Sequence, residues 1–127
     1  MELARETLHL KAAGYSVDDR LREIGYGHWE GLTLSEMERN DAVTFAARNL
    51  DKWGVAAPSG ESYASVTLRV RNWYESLLVD TVTVAHGGTM RALMVALGIV
   101  TPNEAAETLI GQGVVYVFRD GGLTKYS

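Results

Sequence analysis

Residues 81–97 constrain this chain more than any other stretch. They read Thr81-Val82-Thr83-Val84-Ala85, then His86-Gly87-Gly88, then an apolar-rich run of helix formers that reaches Gly98. Five residues, four of them β-branched, predict a short buried strand. The helix that follows should stop at Gly98, since glycine closes helices readily. Strand, glycine turn and helix together aim backbone N–H groups and the positive end of a helix dipole at an anion. Glycine at the turn removes the Cβ atoms that would hold a ligand off the backbone. His86 falls at the carboxyl end of the strand, where open α/β sheets hold their ligands. The stretch therefore predicts one half of a phosphate-handling site.

The rest of the chain is expected to build an α/β layout around that unit. Residues 1–13 read as a helix with Leu3, Leu8 and Leu10 on an apolar stripe and Gly14 at its end. A weak extended piece, Tyr15-Ser16-Val17, leads into Gly25-Tyr26-Gly27-His28-Trp29-Glu30-Gly31, whose glycine density marks a loop. Aromatic side chains in such a loop either line a pocket or pack on the next helix. Thr33 with Glu36 forms a capping-box pattern, and helix continues through residues 41–50. Residues 52–60 form a loop. Residues 61–78 carry the clearest buried stripe, with Tyr63, Val66, Val70, Trp73, Tyr74, Leu77 and Leu78 at helical spacing and Arg69 and Arg71 on the solvated side. Thr101-Pro102-Asn103-Glu104 starts a short helix, and residues 114–118 and 123–126 form a closing hairpin about Asp120-Gly121-Gly122.

Composition removes several classes of function. At 127 residues the chain is sized for one domain, residues 1–127. A net charge of −4 disfavours nucleic acid as a partner. The absence of cysteine removes disulfides, thiolate metal sites and a cysteine nucleophile. The longest strongly apolar run, residues 92–100, is nine residues, short of the ~20 that a membrane helix needs, so no membrane partner is expected. Residues 1–6 do not read as a signal peptide, and the cytoplasm is the expected location. A zinc site from His9, His28 and His86 lacks any spacing that would prearrange ligands, so no metal is expected.

Three stretches in order, Leu21-Arg22-Glu23-Ile24-Gly25-Tyr26-Gly27-His28-Trp29-Glu30-Gly31, Pro58-Ser59-Gly60-Glu61-Ser62 and Ala85-His86-Gly87-Gly88, resemble the histidine phosphatase superfamily, the phosphoglycerate-mutase-like proteins. The resemblance covers nearly the whole chain. It implies a three-layer α/β fold, a mixed sheet flanked by helices, and phosphate-monoester hydrolysis or phosphoryl transfer through a phosphohistidine on a small phosphorylated substrate, with no cofactor. Carried over by motif, His86 is similar to the family's second histidine, which stabilises charge on the transferring phosphoryl group. Glu23 is similar to the acid/base residue that protonates the leaving group, with Glu30 as its rival. Gly87 and Gly88 would let amides reach the phosphate, and Tyr26, His28 and Trp29 would border the substrate side. Glu61 and Ser62 are expected to open the long helix rather than to touch substrate.

The chain departs from the family at one decisive point. The family's nucleophile lies in Arg-His-Gly after the first strand, and none of His9, His28 and His86 has that setting. The expectation is a partial fold that lacks the first βα units and the clamp arginines, inactive by itself. A non-catalytic phosphate-binding or interaction domain is the alternative. A strand at residues 81–85 without its neighbour would expose an unpaired edge, which predicts a homo-oligomer.

Overall fold

The computed structural model describes residues 14–127. The helix read at residues 1–13, with His9, lies outside the described residues. Five helices and one hairpin follow: α1 (Leu34–Asn40), α2 (Ala42–Leu50), α3 (Tyr63–Glu75), α4 (Gly87–Ala96), α5 (Pro102–Glu107), β1 (Val115–Arg119) and β2 (Gly122–Tyr126). Two single 3-10 turns, Asp19–Leu21 and Gly27–Trp29, precede them.

Local chemistry explains most helix boundaries. Thr33 Oγ1 accepts the Glu36 N–H at 3.3 Å while Glu36 Oε2 accepts the Thr33 N–H at 2.7 Å, the reciprocal box read from sequence. Thr101 and Glu104 repeat it before α5, with Pro102 at the first helical position. Helix does not run unbroken into residues 41–50. The Asp41 side chain turns back to accept from both the N–H (3.0 Å) and the hydroxyl (2.6 Å) of Thr44, so the chain stops and restarts there. α4 ends as expected at Gly98, whose φ of +69° lets its N–H reach the Val95 carbonyl and the Ile99 N–H reach that of Met94.

α3 and α4 pack on each other and hold the core. Its buried members are Ile24, Tyr63, Val66, Val70, Trp73, Ala92 and Leu93, with Phe118 of the hairpin laid against them. The buried face of α3 follows the expected spacing through Trp73, but Leu78 is 95% exposed because the helix has ended at Glu75. β1 and β2 pair antiparallel with Phe118 opposite Leu123, and Asp120 and Gly121 both take positive φ in the tight turn between them.

The expectation of a strand at residues 81–85 is not met. No ladder forms there, and Val82 is 85% exposed. β-branched residues favour extended backbone, but a strand exists only when its N–H and C=O groups meet a neighbour. Among the described residues none lies beside this segment. The two-stranded hairpin is likewise the sheet of the described residues, so the mixed sheet of a three-layer fold is not formed within them. Among the same residues no helix is long and apolar enough to cross a membrane.

Candidate functional site

The three sequence stretches that are far apart in the chain meet at the N-terminus of α4. The first two are joined along their backbones. Glu61 N–H donates to the Gly25 carbonyl (2.8 Å), and His28 N–H donates to the Pro58 carbonyl (2.9 Å). Gly27, at φ +51°, sits so close to Pro58, Ser59 and Gly60 that a Cβ there would lie 2.5 Å from the Ser59 carbonyl carbon. Glycine at this position is a packing requirement, not only a turn preference.

The third stretch joins through Glu23. Gly88 N–H donates to Glu23 Oε2 at 3.3 Å, while Glu23 Oε1 accepts from the Ile24 N–H at 2.9 Å. A Cβ on Gly88 would fall into the Glu23 carboxylate and lie 3.0 Å from Ile24, so only glycine admits this contact. Glu30, the rival acid, is turned away. Its Oε1 accepts from the Tyr26 N–H at 3.2 Å, within its own loop.

His86 caps α4 with extended backbone and is exposed. Its main chain is fixed by buried Thr89, whose Oγ1 accepts the His86 N–H (3.0 Å) and donates to the His86 carbonyl (2.8 Å). His86 therefore stands, with its backbone held at both ends, at a helix start whose first residues are Gly87 and Gly88.

Arg91 of α4 is one wall of a cleft of about 390 Å³ that Tyr26, Trp29, Arg48, Lys52 and Tyr63 also line; Glu23, His86, Gly87 and Gly88 are not among its walls. The Arg48 guanidinium lies 5.3 Å from the centre of the Tyr26 ring, and its buried Nε has no hydrogen-bond partner among the described residues. Arg91 Nε donates to the Thr108 carbonyl at 2.9 Å, which ties α4 to the end of α5. Lys52 pairs with Glu107 at 3.6 Å. Burial pushes the Tyr63 phenol above its ordinary value, and Tyr26 and Glu23 add to the rise against the pull of Arg91.

The aromatic residues of the first loop divide. Trp29 is 2% exposed and meets Phe45 of α2 edge-on at 6.1 Å, and it also borders the cleft and the hollow beside His28. Tyr26 lines the cleft. His28 lines a different hollow with Asn40 and Asp41. Among the described residues no group of three or more His, Cys, Asp or Glu side chains could hold a metal ion.

Sequence reasoning missed Arg48, Arg91 and Arg69. Arg91 stands one helical turn beyond Gly87, a spacing that could have flagged it. Arg69 was expected in solvent, yet its side chain is 13% exposed and its Nε and Nη2 bind the Glu61 carboxylate at 3.0 Å each. Those bonds, followed by the Gly25 N–H, hold Glu61 below the ordinary carboxylate value although burial opposes them. Glu61 thus lies just before α3 as expected and also braces the segment that carries Glu23.

Comparison with known proteins gives this geometry its context. Residues 1–121 match the Histidine phosphatase superfamily (branch 1). A 2,3-bisphosphoglycerate-dependent phosphoglycerate mutase of Brucella anthropi is 32% identical over 112 residues, covering 80% of this chain and 53% of the mutase. A bifunctional protein of Mycobacterium tuberculosis is 33% identical over 103 residues, 79% of this chain and 26% of that protein. This chain therefore spans between about a quarter and about a half of these relatives. Among solved structures, the alpha-ribazole phosphatase from Shigella flexneri superposes with a TM-score of 0.79 at 20% identity, covering 95% of this chain and 63% of its own. YhfR of Bacillus stearothermophilus superposes at 0.74 with 25% identity, covering 97% and 65%.

Proposed function

This chain belongs to the histidine phosphatase superfamily, branch 1, and on that premise we propose that residues 23–88 carry the ester-binding side of a phosphoryl-transfer site. The observation that supports this most is the Glu23 carboxylate against the Gly88 amide, which sets an acid/base group on a helix terminus suited to an anion. In this reading the Gly87 and Gly88 amides receive phosphoryl oxygens. His86 stabilises the charge that gathers on them as the ester P–O bond breaks. Glu23 occupies the Gly88 amide until an ester oxygen arrives; its carboxylic acid form then gives that oxygen a proton as the P–O bond breaks, and the carboxylate is left behind.

The alcohol portion of the ester would enter the cleft between Tyr26, Arg48 and Arg91. Three cations and no carboxylate line it among the described residues, so an alcohol that is itself negatively charged fits best. Small phosphorylated molecules are therefore the expected substrates, and a 2,3-bisphosphoglycerate-dependent mutase and an alpha-ribazole phosphatase are the kinds of relative that set this range.

Attack at phosphorus needs a nucleophile. None of the three histidines stands in Arg-His-Gly, so we assign hydrolysis or transfer through a phosphohistidine to a longer protein that supplies that motif. By itself this chain binds phosphate without turning esters over by that route.

Two measurements on the 127-residue protein test this. Orthophosphate should move the Gly87 and Gly88 amide resonances saturably, and para-nitrophenyl phosphate should not be hydrolysed. Turnover that His86→Ala abolishes would refute the non-catalytic assignment. Amides that ignore phosphate would refute the site itself.

A further inference from the structure

The segment that presents Glu23 has no helix or ladder to hold it, because residues 22–26 form neither. Besides buried Ile24 and the backbone bond from Glu61 to Gly25, one side chain of α3 and that residue's partner hold it. Arg69 Nη1 donates to the carbonyls of Arg20 (2.7 Å) and Arg22 (2.9 Å), and Nη2 donates to the carbonyl of Glu23 itself (3.3 Å). The same guanidinium holds Glu61, whose Oε1 accepts the Gly25 N–H at 3.1 Å from the far side of Glu23. Backbone groups before, at and after Glu23 are thus tied to one ion pair. A guanidinium offers its donors in a rigid planar fork, and a lysine ammonium cannot span the same carbonyls.

The Glu61 and Arg69 side chains direct their bonds to this segment and to each other. The contact they stand behind is delicate. At 3.3 Å the Gly88 to Glu23 bond is already at the long end of the hydrogen-bond range, and a further displacement of a few tenths of an ångström would break it. Catalytic groups tolerate little misplacement of this kind.

We propose that Glu61 and Arg69 are positioning residues that set the reach of Glu23 to the Gly88 amide, and through it to the leaving oxygen of the ester. The second half of that statement rests on the reading of the site given above. The first half stands on the ligand-free protein and is tested there. Amide NMR of the full 127-residue chain would compare the wild type with Glu23→Ala, Arg69→Lys and Glu61→Gln. Glu23→Ala removes the acceptor and calibrates the Gly88 amide proton for loss of the bond. Arg69→Lys and Glu61→Gln should each move that proton in the same direction by a comparable amount, while the amides of α5 stay in place. A role in stability alone would lower the melting temperature and leave Gly88 at its wild-type position, and that result overturns the proposal. It is also overturned if Glu23→Ala leaves Gly88 unmoved, since no reach then exists to be set. The orthophosphate titration is read separately, so failure of the phosphate site is distinguishable from failure of the positioning pair.

Discussion

Replacing Arg69 by alanine should destabilise the protein far more than replacing Arg71, two residues along the same helix. Arg69 makes three bonds to backbone carbonyls and two to Glu61. Arg71 makes one, to the Ala96 carbonyl at 3.2 Å, and is exposed. Breaking a fully buried ion pair costs about 3–5 kcal/mol, because the partner charge is stranded. Here the Glu61 side chain keeps 22% of its exposure, Arg22 is exposed and Arg20 half-buried, so water recovers part of the loss. A cost of about 2–3 kcal/mol follows for Arg69→Ala, against less than about 0.5 kcal/mol for Arg71→Ala. For a chain of this size that difference corresponds to roughly 6–12 °C in melting temperature. Thermal denaturation followed by circular dichroism at neutral pH reads it directly. If the two variants melt within about 2 °C of each other, the Arg69 bonds contribute no more than a surface contact and the argument fails.

Four further outcomes are expected. Gly27→Ala should cost about 3 kcal/mol or more, since its Cβ meets backbone at Ser59 and Gly60, while Gly31→Ala, at φ +74° in open space, should cost only the strain of about 1 kcal/mol; equal urea midpoints for the two would contradict this. The folded-state pKa of Glu61 is depressed, chiefly by its bonds to Arg69, so the stability it contributes is complete above the ordinary value of 4.5 and is lost as pH falls through the lower folded value. Urea titrations from about pH 6 to about pH 3 should therefore show a decline that Glu61→Gln flattens, and an unchanged slope would remove Glu61 from the acid limb. Thr89→Val should cost about 1–2 kcal/mol and loosen His86, whereas Thr89→Ser retains both bonds; matching melts for wild type and Thr89→Val would show the hydroxyl to be idle. Leu78, Val79 and Val82 are exposed close together in sequence, which should drive concentration-dependent self-association that Val82→Lys suppresses; light scattering of a monomer at high concentration would count against it.

The sequence by itself determined what short-range chemistry controls. Thr33 and Thr101 each carry a side chain that meets an N–H three residues on, so these helix starts were legible, while Asp41 and Ser62 cap in the same way at positions the sequence reading did not mark as caps. Gly98 ends α4 and Asp120-Gly121 turns the hairpin for the same reason: one residue's allowed φ decides each. The three motif stretches were also legible, and with them the family.

Tertiary structure decided what depends on partners distant in the chain. Residues 81–85 have every local mark of a strand and do not form one, because pairing belongs to two segments and not to one. Arg69 and Arg71 look alike in sequence, yet only the first faces backbone 46 to 49 residues away. Glu23 and Glu30 stand seven apart in one loop, and the fold alone turned one toward Gly88 and the other back on Tyr26. Local propensity acts over a few residues, whereas a site is assembled by contacts whose spacing no periodic pattern records.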